Sequence, residues 1–148
     1  MNYRHKIVVN APKDKTVIFH QNASNMGKIT PPPILVQIKT APNPIFEGAE
    51  MEFTLWFGPI PVRWRARFEN VSPAGFIDRQ VSGPFKTWVH KHAFKDIGGG
   101  KTEILDDVQA ELHSSLVKRS FGMLMWIGMP VLFAYRGWRT RRELETLA

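Results

Sequence analysis

Two histidines one residue apart, His90 and His92, and a later acid, Asp106, are the residues of this chain best placed to do chemistry. They lie in GPFKTWVHKHAF (83–94) and TEILDDVQAEL (102–112), separated by a glycine-rich run. A strand turns successive side chains to opposite faces, so Trp88, His90, His92 and Phe94 share one face. Thr87, Val89, Lys91 and Ala93 take the other, and because Lys91 prefers water the aromatic and imidazole row turns inward. On the return run Ile104, Asp106 and Val108 share a face. If the hairpin closes around Gly98–Gly100, Asp106 falls opposite His92, or between His92 and His90. A buried carboxylate is costly unless paired, and histidine is the side chain that shares its proton near neutral pH. The trio is therefore either a satisfied core network or the polar end of a ligand pocket. In the second case His90, His92 and Asp106 orient one end of a mostly apolar ligand, with Trp64, Phe68, Trp88 and Phe94 as walls. The catalytic alternative uses His92 and Asp106 as an acid–base pair.

Other chemistry finds less support. His90-x-His92 with Asp106 could hold a metal, but two histidines are few, and His5, His20 and His113 cannot be placed nearby from sequence. No metal and no cofactor are expected. Gly98-Gly-Gly-Lys-Thr102 imitates the end of a phosphate-binding loop. Lys95 occupies the slot of that motif's first glycine, and the context is a hairpin rather than strand-to-helix. The serines Ser82, Ser114, Ser115 and Ser120 lie outside any recognisable nucleophile turn.

The elements that must position the trio are mostly strands. Residues 3–10 read as a strand, followed by a short helix opened by Pro12 and a second short helix or irregular turn over 22–29. Residues 34–39 are β-branched and apolar. Met51, Phe53, Leu55 and Phe57 alternate with polar partners, and Val62, Trp64, Ala66 and Phe68 alternate with Arg63, Arg65, Arg67 and Glu69. One face is wet and the other buried, as in an antiparallel sheet covered on one side. Residues 76–82 form a further strand before the hairpin. Pro130 suits the first turn of a long final helix, with Val131, Leu132, Tyr135, Trp138 and Leu144 facing a core and Arg136, Arg139 and Arg142 turned outward.

Composition bounds the function. The 148 residues carry 43% hydrophobic and 22% charged side chains, suited to one domain over 1–148. With no cysteine, disulfides and thiolate chemistry are excluded. The chain start shows no signal-peptide pattern, and a cytoplasmic location is expected. The net charge is +7, yet the charges are dispersed and no nucleic-acid motif accompanies them, so no nucleic-acid partner is expected. The apolar run 121–135 is shorter than the roughly 20 residues that a spanning helix needs. Met123-Leu-Met125-Trp126 reads as a cavity cover that could touch a membrane surface transiently.

Taken together, GAEMEFTLW, IPVRW, FIDRQVSGPFKTWVHKHAF, GGKTEILDDV and LFAYRGWRTRREL resemble the SRPBCC superfamily, which includes START-like lipid carriers, pollen-allergen-like proteins and polyketide cyclases. The resemblance covers most of the chain. It implies an α+β helix-grip fold: a seven-stranded curved antiparallel sheet wrapped around a long C-terminal helix, with two short helices after the first strand. It implies an apolar cavity between sheet and helix for a hydrophobic small molecule (lipid, isoprenoid, quinone or polyketide-like). A cyclase- or dehydratase-like enzyme working in the same cavity is the alternative it leaves open.

Overall fold

The computed structural model describes residues 1–145 of the chain. Among them the alternating stretches form strands β1 (Asn2–Val9), β2 (Leu35–Thr40), β3 (Glu50–Phe57), β4 (Ile60–Ser72), β5 (Gly75–Ser82), β6 (Thr87–Gly98) and β7 (Lys101–Glu111). Helix α1 (Lys13–Gln21) and a 3-10 turn (Ala23–Gly27) follow β1, and α2 (Leu116–Ile127) and α3 (Met129–Glu145) close the described chain. The strands make one antiparallel sheet in the order β1-β7-β6-β5-β4-β3-β2. Short turns pair chain neighbours, and β1 returns to the far side of β7.

Side chains obey the pleat. Met51, Phe53 and Leu55 on β3, Trp64, Ala66 and Phe68 on β4, and Trp88, His90, His92 and Phe94 on β6 are all buried, while the arginines between those of β4 lie on the outer face. The inner face is roofed by α3, whose buried residues Met129, Phe133, Gly137, Thr140 and Leu144 recur at helical spacing. Gly137 lets this roof come close, because a Cβ there would stand 3.3 Å from His5 and from Ile7 on β1. The far end of α3 is tied to β1 by Arg141 Nε donating to the Val8 carbonyl at 3.2 Å and by Glu145 accepting from the Asn10 amide at 2.9 Å.

Three sequence expectations change here. Val131 and Trp138, expected to face the core from the last helix, are exposed instead. The stretch before Gly128 is a helix of its own, α2, which meets α3 at a bend of 49°. Neither helix alone is long and apolar enough to cross a membrane. Arg136, expected to turn outward, lies one helical turn after Leu132 and points with it under the roof.

Candidate functional site

Register brings the chemistry together on two adjacent rungs of the sheet. His92 on β6 stands opposite Asp106 on β7 and Phe76 on β5, and Asp106 in turn faces His5 on β1. On the next rung His90 stands opposite Asp78 on β5 and Val108 on β7. The short hydrogen bonds run diagonally between the rungs. His90 Nε2 lies 2.8 Å from Asp106 Oδ1, and His92 Nε2 lies 2.6 Å from Asp78 Oδ2. The remaining ring nitrogens complete a box: His90 Nδ1 is 3.5 Å from Asp78, and His92 Nδ1 is 3.4 Å from Asp106. The two imidazoles stack with centroids 3.7 Å apart, sandwiched between two carboxylates.

Charge in this box follows from burial and pairing. Burial pushes both carboxyls upward, but the two histidines outweigh it; Asp78 ends below the ordinary value and Asp106 well below it. Both are carboxylates at neutral pH. Burial alone would lower His92, but the carboxylates on either side raise it to about 9. His90 goes the other way, lowered by burial and by the positive neighbour stacked on it. The box therefore holds one imidazolium and one neutral imidazole. One proton serves two rings whose titrations are coupled.

Above the box lies a cavity of about 160 Å³. Its walls come from β3 and β4 (Met51, Phe53, Leu55, Trp64, Phe68), from β6 (Trp88), and from Met125, Leu132 and Phe133 of the two C-terminal helices. Phe53 stacks on Trp64 at 5.8 Å, and Trp64 meets Trp88 edge-on at 5.2 Å. Asp78, His90 and His92 form its polar floor. A smaller void of about 30 Å³, bordered by His5, Asp106, Gly137 and Thr140, adjoins it. Four residues border both spaces: His20, Ile29, His92 and Arg136.

Of the residues singled out in the sequence, Trp64, Phe68, Trp88, His90 and His92 line the main cavity, and Asp106 borders the smaller one. Phe94 is a correction. It is buried one layer away, its ring 4.8 Å from His20 and 6.2 Å from Phe76, and it borders neither space. Three residues were missed. Asp78 follows Phe76 at a spacing of two, so it shares the inner face; that acid beside a strand bearing two inward histidines was the available signal. Arg136 is four residues after inward Leu132. His20 is four after buried Thr16, whose carbonyl its Nδ1 meets at 2.8 Å. A carbonyl only accepts, so Nδ1 carries the hydrogen and Nε2 of His20 is an acceptor. Burial lowers His20 to about 4 and keeps it neutral.

The box also fits a metal poorly. Asp78, His90 and His92 offer ligand atoms within 4.8 Å of one another. A tetrahedral ion sits roughly 2.0–2.1 Å from each nitrogen, along lone pairs that lie in the ring planes. Rings stacked at 3.7 Å and tilted by only 27° aim those lone pairs side by side rather than at one point.

This is a helix-grip fold, shared with solved structures. It superimposes on the ZhuI aromatase/cyclase from Streptomyces sp. R1128 with a TM-score of 0.73 at 15% identity, covering 98% of this chain and 93% of that one. Ara h 8.0201 gives 0.59 at 12% identity, covering 94% and 97%. A nucleoside-diphosphate sugar epimerase from Corynebacterium glutamicum matches over 97% of this chain but only 29% of its own, with a TM-score of 0.68 and 21% identity. No family model matches the sequence, and neither does any curated protein. In this chain the space between sheet and C-terminal helix is the cavity over the His–Asp box.

Proposed function

We propose that the protein binds and carries a hydrophobic small molecule of the lipid, isoprenoid, quinone or polyketide-like class in the cavity between sheet and α3. The observation that carries this reading is the wall itself: aromatic and aliphatic side chains supply most of the lining of a cavity of about 160 Å³, with Asp78, His90 and His92 on its floor. Apolar surface lost from water drives entry, at about 25 cal/mol per Å². The floor then orients the ligand. Native mass spectrometry after mild purification, followed by solvent extraction, tests the reading. A co-purifying apolar molecule that is displaced on heating supports it, and a protein that neither retains nor takes up any apolar compound overturns it.

A second reading, an enzyme of the cyclase or dehydratase type, is favoured by the box. An imidazolium held at the cavity floor by Asp78 is a proton donor at neutral pH, with Asp106 on its other side. His92 is then the acid rather than the base. A bell-shaped pH–rate profile whose limb disappears in His90→Gln/His92→Gln would support this role on a polyketone substrate; turnover unchanged in that variant would remove it.

Transient contact with a membrane surface belongs to the carrier reading. Met125 and Trp126 turn inward, the first to the cavity and the second against Tyr3 at 6.4 Å. Leu116, Val117, Leu124, Ile127 and Val131 are exposed instead, beside Lys118 and Arg119, and no acid occurs from Leu112 to Arg142. Such a face suits anionic lipid. Flotation with phosphatidylserine vesicles, lost in Leu124→Asp/Ile127→Asp, is the expected result; equal flotation of that variant would discount the face.

A further inference from the structure

The neck between the two cavities is built from three elements: His20 of α1, His92 of β6 and Arg136 of α3. Its hydrogen bonding is incomplete. Arg136 Nε is buried and, among the described residues, has no hydrogen-bond partner, while His92 Nδ1 reaches only the long 3.4 Å contact with Asp106. Arg136 makes no ion pair among those residues; its guanidinium sits 5.4 Å from the centre of the Phe133 ring. A buried donor without an acceptor is costly, so such groups mark where water or a ligand atom belongs. His92 is doubly protonated in the charge assignment above, which makes Nδ1 a donor like the guanidinium. The neck therefore presents one unspent donor, on Arg136, beside a second on His92 that is only weakly engaged by Asp106.

Its charge is already balanced. Facing it are the carboxylates of Asp78 and Asp106, the cations His92 and Arg136, and the neutral His5, His20 and His90. Two negative charges meet two positive ones in a low-dielectric space. A ligand carboxylate would leave one negative charge uncompensated there, at large cost. A neutral oxygen adds no charge and still accepts from both donors.

We propose that the cavity's ligand is a neutral carbonyl compound — a ketone, quinone or ester — whose oxygen seats at the neck against Arg136 and His92. This rests on the carrier reading and narrows its ligand class. Arg136 is the specificity residue, because it alone brings a permanent charge to the neck from the roof rather than the floor. The rest of the molecule lies along the Trp64 and Trp88 wall.

The experiment uses compounds matched in size. An engineered apolar cavity of about 150 Å³ accepts benzene, so compounds of one or two rings suit this one. Calorimetric titration of the whole protein compares tetralin, 1-tetralone and 2-naphthoate. The expected order is 1-tetralone tightest by about tenfold or more over both others, since a hydrogen bond to a charged donor is at stake. In Arg136→Met the tetralone preference falls about tenfold while tetralin is unchanged. If that variant does not fold, Arg136→Gln and the wild-type order still decide. Equal binding of tetralin and 1-tetralone would mean that water serves the donors, and tighter binding of 2-naphthoate would mean an anionic ligand; either overturns the carbonyl assignment and leaves the carrier standing. Binding of none of the three would remove the carrier reading itself.

Discussion

The proton shared by the stacked imidazoles should be readable as stability. His92 rises from 6.5 to about 9 on folding, so the folded state holds its proton more tightly than the unfolded chain does. A raised value contributes stability that is fully present below 6.5 and is lost as pH climbs through about 9. At about 1.4 kcal/mol per unit the contribution is about 3 kcal/mol, most of it still present at neutral pH. Replacing His92 alone gives an ambiguous result, because His90 sits between the same carboxylates and takes up the proton once the neighbouring charge is gone. The informative protein is His90→Gln/His92→Gln, which keeps amide donors near Asp78 and Asp106 but cannot titrate. Urea unfolding of wild type and double variant is compared between about pH 7 and about pH 10, a window above the ordinary histidine range. The wild-type stability should fall toward that of the variant by about 2–3 kcal/mol across this window, apart from changes common to both. A difference that stays level, or that widens as pH rises, would show that no imidazolium is held in the box.

Three further outcomes follow from the same geometry. Asp78→Asn removes the 2.6 Å partner of His92, so the His92 titration midpoint in NMR should move down from about 9 toward 6.5; an unmoved midpoint would assign the raised value to Asp106 alone. Gly75→Ala should destabilise by about 3 kcal/mol or more, because a Cβ there would stand 1.9 Å from the His92 carbonyl oxygen on a backbone with φ of 150°; thermal melting within a degree or two of wild type would refute the packing of β5 on β6. Phe133→Ala deletes a ring that is 1% exposed and lies 5.4 Å from Tyr3 and 5.7 Å from His90, costing about 3–5 kcal/mol in denaturant unfolding; a loss under about 1 kcal/mol would show that the roof is not packed on the floor.

Much of this arrangement was legible from alternation. The buried positions of β3, β4 and β6 were read from period two, and the glycine turn placed Asp106 either opposite His92 or between His92 and His90, of which the register has the first. Asp78 was harder, because β5 and β6 are joined by a loop rather than a tight turn. Gln80, near the end of β5, bonds both the amide and the carbonyl of Phe85 in that loop, a tertiary detail that pattern alone does not carry. Arg136 defeated the rule that arginine seeks water: its stem follows Leu132 under the roof while two distant carboxylates compensate its charge. Phe94 fits the pleat yet misses the cavity, because His20 of α1 packs over it, and α1 is too weakly amphipathic for its inner face to be read in advance. Helix α2 inverted the usual pattern, exposing Leu116, Val117, Leu124 and Ile127 while burying Gly122 against Leu112 and Phe85.

The four members of the His–Asp box lie on β5, β6 and β7, while Met51, Phe53, Leu55 and Trp64 lie on the neighbouring β3–β4 meander. Shape and polarity are thus governed by separate stretches of chain. Reshaping the meander offers a route to new guest molecules without disturbing the electrostatics beneath them, so a library confined to those four positions could diversify what the protein holds and leave intact how it is held.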